Sequence, residues 1–413
     1  MRADGCGQSV CGIVGLGFVG TCTARLLLRA GLPLRGFDLS SSAVARAEAE
    51  LGTLFGRSGD CELGTDPDLL AAAKVVVVAV RLQRDRDGNF RDDALERVAE
   101  TLNAHCLACE LVVIESTLEP GTTRRFAERW LHLSNVEVAH VPERLRIGDP
   151  DAAVLQVPRL VGGLSEQATE RACAFLRRAG IEPVPVSAPE VSELAKLLEN
   201  AFLTTSIGLV GEITRLAHGL GVAAREVTEA AATKPHGYMG FHPGPGIGGH
   251  CLRNDLDLLR TLARHQAVQT PLLDGVAETV SALPALVVAR LAQRLGDLGL
   301  SLVGASVLLV GVGFKIGSPD LTETPATPIT RALREAGATV AYLDAQVPVF
   351  AVDGLPLPRV HLEELFRLNA TAVLILSGDQ TLAIESLRRG CLCLLDAGGG
   401  ASMEGELANV ERL

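Results

Sequence analysis

At 413 residues the chain is long enough for two or three domains, and 47% hydrophobic with 21% charged residues is a globular composition with ample apolar material for cores. The formal net charge of −11 argues against a nucleic-acid binder, which would show a basic face, but not against small anionic ligands held by a few local arginines or lysines. No apolar run approaches the ~20 residues of a membrane span, and the N-terminus has no hydrophobic signal region, so the expectation is a soluble, cytoplasmic protein that binds no membrane.

Aromatics make up only 3%, so the cores must be built from Leu, Val and Ala. The ten cysteines show no framework spacing. Cys106-x-x-Cys109 and Cys391-x-Cys393 are isolated pairs, with no second pair to complete a zinc site, so no metal is expected. Nine of the ten read as small hydrophobes of a reducing interior.

Residues 10–14 form a short apolar run that leads directly into Gly15-Leu16-Gly17-Phe18-Val19-Gly20. Residues 21–29 read as a helix that Gly31 ends, and a second strand, 34–37, ends in Asp38. Strand, glycine turn, helix, strand and acid in this order are the pattern of a dinucleotide site. The glycines permit a tight turn and close backbone approach to a pyrophosphate, the helix N-terminus faces the phosphates, and the acid binds the ribose hydroxyls. Asp38 favours NAD, because a carboxylate there repels a 2′-phosphate.

The pattern of a parallel sheet continues with strands at 74–80, 111–115 and 136–140, separated first by a charged loop, 81–93. Ser116 and Thr117 open a hydroxyl-rich turn, running to Thr123, at a strand's C-terminal end, where open α/β sheets place ligands. Glu143, in Val141-Pro142-Glu143-Arg144, follows another strand end and reads either as a surface charge or as a site acid.

Residues 190–220 form one long helical pattern with Leu194, Leu197, Leu198, Ala201, Ile207, Leu209 and Val210 on apolar faces. Lys196 and Asn200 are four apart and share a face. They read either as a structural pair, with Glu193 or Glu199 as the lysine's partner, or as a cation and amide suited to stabilising an oxyanion. Pro243-Gly244-Pro245-Gly246-Ile247-Gly248-Gly249 is too rich in Gly and Pro for a helix or strand. This rigid loop delivers His250 and Cys251, and Asp255 lies one turn further on if a helix starts at the thiol. A thiol at such a junction is a candidate nucleophile, because a helix N-terminus favours the thiolate. The plain alternative is a Gly/Pro turn followed by a buried cysteine. Residues 255–298 are helical again.

The strand 306–310, Gly311-Val312-Gly313-Phe314-Lys315, a helix from about 327 and a strand 339–343 ending in Asp344 restart the α/β pattern, with further strands at 372–376 and 391–395. The turn after 310 is too long for a dinucleotide fingerprint. The expected fold is α/β: two Rossmann-like doubly wound domains, 1–188 and 301–413, joined by a long central helix in a helical dimerisation domain, 189–300.

Taken together, these segments resemble the UDP-glucose/GDP-mannose dehydrogenase family over nearly the whole chain. The resemblance rests on the loop from Pro243 to Cys251, Glu115-Ser116-Thr117 with Pro120-Gly121-Thr122-Thr123, Pro142-Glu143-Arg144, the Lys196/Asn200 pair and Gly313-Phe314-Lys315. It implies oxidation of a sugar C6 alcohol to a carboxylate with two NAD⁺, and the His before the cysteine is similar to the branch acting on UDP-N-acetylhexosamines. It further implies that Cys251 forms a thiohemiacetal and then a thioester, that Lys196 and Asn200 stabilise the alkoxide, and that Asp255 is the general base while Thr117 and Glu143 hold the water. NAD is assigned to Gly15, Gly17, Phe18, Val19, Gly20, Asp38, Ser116 and Thr117. The substrate is assigned to Glu143, Arg144, Lys196, Asn200, Gly248, Phe314 and Lys315. A nucleotide-sugar or nucleotide-like substrate follows from the same resemblance, while a homodimer is expected through the helix 190–220, whose apolar residues are too many for one face.

Several positions depart from the family. Leu252-Arg253-Asn254 precede Asp255, Arg81-Leu82-Gln83 replaces Pro-Thr-Pro, and Gly237, Thr322 and Gly398 stand where the family usually carries arginine. The catalytic set is intact while the diphosphate anchors are depleted, so UDP-glucose is expected to be a poor substrate. Two rival readings are a β-hydroxyacid-type dehydrogenase, which performs one two-electron step, and a non-catalytic NAD-binding dimer.

Overall fold

The computed structural model describes residues 10–56, 60–84, 90–144, 151–315, 317–367, 369–377, 384–398 and 410–412. The N-terminal residues 1–9 and part of the charged loop expected at 81–93 lie outside them. The chain forms two compact units, Met1–Glu199 with Thr261–Ala267 and Asn200–Arg260 with Val268–Leu413. The helices expected as one central segment, 189–300, are thus shared between the units.

The first unit is built on eight strands: β1 Val10–Val14, β2 Leu34–Phe37, β3 Cys61–Gly64, β4 Ala73–Val78, β5 Leu111–Ile114, β6 Glu137–His140, β7 Arg159–Gly163 and β8 Pro183–Val186. Their order is β8-β7-β6-β5-β4-β1-β2-β3. β3 through β6 run parallel, while β7 is antiparallel to β6. β5 is buried at every residue, as expected of a strand covered on both faces. One core layer gathers Ile13, Leu26, Leu27, Val113 and Phe175, and the other Val14, Val76, Val112 and Phe126. The strand order reverses between β1 and β4, so the turns leaving these two strands flank the crevice where such sheets bind ligands.

The second unit carries five parallel strands, β9 Ser306–Val310, β10 Thr339–Leu343, β11 Ala370–Ile375, β12 Cys391–Asp396 and β13 Val410–Arg412. Their order is β10-β9-β11-β12-β13. The helix Pro271–Asp297 lays Val287, Val288, Leu291 and Leu295 into the core of this sheet. It is long and apolar enough by composition to cross a membrane, a property that the sequence reading did not expect; 33% of its most apolar stretch is buried, and its C-terminal half packs into this core.

Two boundaries differ from expectation for local reasons. The first helix starts at Phe18, not at 21, because Gly17 is still extended and the chain turns helical directly after it. The helix expected over 255–298 is two helices, Cys251–His265 and Pro271–Asp297. Between them Ala267 has φ 53° and Pro271 occupies the first turn of the new helix, where its missing N–H costs no bond.

Candidate active site

In the first unit the glycine turn has the shape of a cradle. A Cβ on Gly20 would lie 1.8 Å from the Gly15 carbonyl oxygen, so only glycine lets the helix Phe18–Arg29 approach β1 this closely. A Cβ on Gly17 would meet nothing within 4 Å, which leaves that side of the turn open. No side chain caps the helix and its first turn has no acid, so its free N–H groups and dipole are available to an anion. Asp38 follows β2, and its Oδ2 accepts the N–H of Leu16 at 2.7 Å while Oδ1 accepts that of Ser40 at 2.7 Å. Each oxygen keeps a lone pair for a hydroxyl. These residues fit a dinucleotide.

Beyond β5, Ser116 is buried and its hydroxyl donates to the Val80 carbonyl at 2.6 Å. The Ser116 carbonyl lies 3.1 Å from His140 Nε2, and His140 Nδ1 is 2.8 Å from Ser192 Oγ. Burial pushes the imidazole down to about 4, so it is neutral near pH 7. Thr117 is half-buried, and among the described residues its hydroxyl makes no hydrogen bond. The turn is fastened from below by Glu193, whose carboxylate accepts the N–H groups of Gly121 and Thr123 at 2.6 and 2.8 Å and the Thr123 hydroxyl at 2.7 Å. Burial raises the Glu193 carboxyl, and these three donors pull it back.

Glu143 is 8% exposed, which excludes the surface-charge reading. Its Oε1 accepts the Arg144 N–H at 2.7 Å, and its Oε2 lies 2.5 Å from Arg159 Nη2. Arg144 is tied down as well, by Glu199 through Nη2 at 2.6 Å and by the Pro158 carbonyl through Nη1 at 2.8 Å. With Glu193 and Glu199 so engaged, neither pairs with Lys196, and the structural pairing weighed from the sequence is not formed. Lys196 is half-buried and sits one turn before Asn200 on the helix Pro189–Leu220.

In the second unit Asn200 and Asp255 are 7% and 3% exposed, and Asn200 Nδ2 donates to Asp255 Oδ2 at 2.5 Å. A bond of this kind to a charged group is worth about 1.5–3 kcal/mol. Cys251 is the first residue of its helix and is exposed, not buried. The Asn254 N–H bonds the His250 carbonyl at 2.9 Å, so the helical spacing places the thiol one turn from Asp255. The preceding loop is held by Phe314: a Cβ on Gly248 would lie 2.3 Å from the Phe314 Cβ. The Gly249 N–H donates to the Thr322 carbonyl at 2.9 Å, and His250 Nδ1 lies 3.0 Å from Glu323 Oε1. Lys315 directly follows Phe314 and is half-buried.

The acid ending β10, Asp344, takes a different role from Asp38. Its oxygens accept the N–H groups of Val312, Gly313, Gln346 and Val347, so this carboxylate is used to brace its own loops. Sequence reasoning did not single out Arg159, Thr23, His140, Ser192 or Glu193 as parts of the site. The available signal was a charge or hydroxyl standing where an apolar stretch begins or ends.

A model of the UDP-glucose/GDP-mannose dehydrogenase family NAD-binding domain matches residues 9–178, and one of that family's central domain matches residues 190–280. A UDP-N-acetyl-D-mannosamine dehydrogenase of Pyrococcus horikoshii is 27% identical over 356 residues, covering 81% of this chain and 83% of its own. A UDP-N-acetyl-D-glucosamine 6-dehydrogenase of Pseudomonas aeruginosa is 27% identical over 353 residues, covering 81% and 82%. The solved structure of a UDP-D-ManNAc dehydrogenase from Pyrococcus horikoshii superposes with a TM-score of 0.85 at 24% identity and covers 98% of each chain, so the fold is shared throughout.

Proposed function

Since the chain belongs to the UDP-glucose/GDP-mannose dehydrogenase family and is an NAD-binding oxidoreductase, we propose that it oxidises the primary alcohol of a nucleotide sugar to a carboxylate in two steps, through a covalent adduct on Cys251. The observation that carries this reading is the exposed thiol at the head of a helix, one turn from the buried Asp255–Asn200 pair. NAD, which the glycine turn and Asp38 would hold, would supply the hydride acceptor for each oxidation. Lys196 and Asn200 stabilise the alkoxide that precedes each hydride loss, and Asp255 takes the proton. The aldehyde of the first step has no easy second hydride to lose. The Cys251 thiolate adds to it, the tetrahedral thiohemiacetal loses the hydride, and a thioester results. Water, held by Thr117 and Glu143, then releases the acid. Alcohol, two NAD⁺ and water become carboxylate, two NADH and three protons.

The names of the relatives support a UDP-N-acetylhexosamine as substrate. Two of the missing arginines have local accounts. A Cβ on Gly398 would lie 2.8 Å from the backbone of Leu376 and Ser377, which leaves no room for a side chain. Gly237 has φ +73°, and the Lys234 ammonium lies 3.8 Å from where its Cβ would be, so Lys234 brings a positive charge to that place. With Lys234 and Arg253 as replacements, the charge is partly restored but the bidentate geometry of arginine is not. Loss of two or three charge-assisted bonds weakens a ligand at least a hundredfold, at about 1.5–3 kcal/mol each, so UDP-glucose is expected to be the poor member of a panel. NADH formation on UDP-N-acetyl-D-mannosamine, UDP-N-acetyl-D-glucosamine and UDP-glucose tests the reading. Two NADH per acid formed are expected, and one NADH with an aldehyde or ketone product overturns it in favour of a single two-electron step.

The homodimer belongs to the same reading. On the helix Pro189–Leu220, Val191, Leu194, Leu198, Phe202, Leu209, Leu216 and Leu220 are 43–78% exposed and recur at spacings of three, four and seven. Such a stripe fits the same helix of a second copy. Leu198→Glu with Leu209→Glu is expected to give a monomer in sedimentation, and a monomeric wild type at micromolar concentration contradicts the assignment.

A further inference from the structure

A buried charge cluster in the first unit is left unused by the steps above. Arg159, which opens β7, is 1% exposed, and Glu115, directly after β5, is 3% exposed. Arg159 Nη1 donates to Glu115 Oε1 at 2.9 Å. Thr23, on the helix that leaves the glycine turn, donates its hydroxyl to Glu115 Oε2 at 2.7 Å. The other arm of the same guanidinium, Nη2, faces Glu143 Oε2 at 2.5 Å. This contact is an ion pair by distance, yet neither atom has an aligned hydrogen bond. Oε2 is therefore held by charge at a point that solvent does not reach. Oε1 accepts the Arg144 N–H with one lone pair and keeps the other for a water, and the Glu143 N–H bonds the Glu115 carbonyl at 3.3 Å.

Taking a guanidinium out of water costs several kcal/mol unless its partners are well placed. Hydrophobic packing of the same volume would serve stability as well. What only arginine offers here is a rigid planar fork that fixes the separation of two carboxylates. Lysine, a point charge on a flexible stem, pairs with either carboxylate but does not bridge them.

We infer that Arg159 is a positioning residue for acid release: its fork, anchored on Glu115 and through it on Thr23, holds the Glu143 carboxylate in the orientation that binds the hydrolytic water. This rests on the role given to Glu143 in the proposed function. In the step concerned, water adds to the acyl carbon, the carbon–sulfur bond breaks, and thioester plus water becomes carboxylate, the Cys251 thiol and one proton, with no change of oxidation state. Arg159 touches neither the substrate nor the cofactor, and its effect passes through Glu143.

The test is Arg159→Lys, assayed by stopped-flow NADH formation with the nucleotide sugar of the panel that wild type turns over fastest, together with intact-mass analysis of enzyme quenched during turnover. If Arg159 positions Glu143, the first turnover still forms two NADH per site at close to the wild-type rate. The steady-state rate then falls at least tenfold, and an acyl adduct on Cys251 accumulates above the wild-type level. Glu115→Gln, which is isosteric and leaves Glu143 untouched, is expected to give the same adduct with a smaller fall, about three- to tenfold, and decides the matter if Arg159→Lys does not fold. Wild-type steady-state rates in the folded variants overturn the inference. So does a joint loss of NAD affinity and burst amplitude without any adduct, which is what a merely structural role produces. A wild type that forms one NADH per turnover and no Cys251 adduct overturns the reading of the site itself, whereas a wild type forming two NADH beside unaffected variants overturns the role of Arg159 alone.

Discussion

His140 makes the first unit sensitive to acid by an amount that can be worked out. Its side chain is fully buried at the end of β6, between the Ser116 carbonyl and the Ser192 hydroxyl. No carboxylate ion-pairs with it among the described residues. Burial lowers its pKa from 6.5 to about 4, with the bond to Ser116 pulling weakly upward. The folded state therefore binds a proton less readily than the unfolded chain. The stability this contributes is fully present above pH 6.5 and is lost as pH falls toward 4. Between pH 7.5 and 4.5 the loss for a single group with these values is roughly 2–3 kcal/mol. His140→Gln removes the titration while its amide is able to donate to Ser116 and accept from Ser192. Trp130 is the only tryptophan and lies in the first unit, so its fluorescence during urea unfolding reports that unit alone. The expected result is that wild type loses roughly 2–3 kcal/mol more than the variant between the two pH values. Glu115, which burial raises to about 7, acts in the opposite sense: its contribution is lost as pH rises from 4.5 to 7. It is common to both proteins and cancels in the comparison. Equal losses in the two proteins would refute the reasoning, because they would mean that the imidazole is readily protonated inside the fold.

Three further outcomes are expected. Wild type should prefer NAD⁺ over NADP⁺ by at least about tenfold in kcat/KM, equivalent to ~1.4 kcal/mol, and Asp38→Ala should narrow the gap; equal use of both by wild type contradicts the role of Asp38. Cys251→Ala should abolish acid formation while isothermal titration still shows NAD⁺ binding, and full carboxylate yield at the wild-type rate would remove the thioester from the mechanism. Gly248→Ala drives a methyl group to 2.3 Å from the Phe314 Cβ, an overpacking worth about 1–3 kcal/mol. It should lower both thermal stability and kcat, and an unchanged kcat and Tm would show that the loop yields without cost.

The strands β1, β2, β9 and β10 and the glycine turn were legible from residues 10–38 and 306–343 because local chemistry decides them. An apolar run, a glycine turn and an acid at the next strand end leave few other conformations. The same holds for the loop before Cys251, where four glycines and two prolines exclude regular structure. The long helix was legible as a helix, but not by face. Its apolar residues outnumber the positions of one buried stripe, and only the packed structure divides them, burying Leu197, Ala201 and Val210 while leaving Leu194, Leu198 and Leu209 exposed. The break at Ala267 was hidden because both flanking segments carry helical periodicity, and one left-handed residue ends the first of them. Arg159 and Thr23 were not read as site residues, and Glu115 stood out only through the motif Glu115-Ser116-Thr117. They lie 44 and 92 residues apart along the chain, and nothing local marks a single arginine as buried. Burial is a property of the sheet that closes over β5, β6 and β7, and an ion pair has meaning only once those strands have brought its members together and excluded water from them.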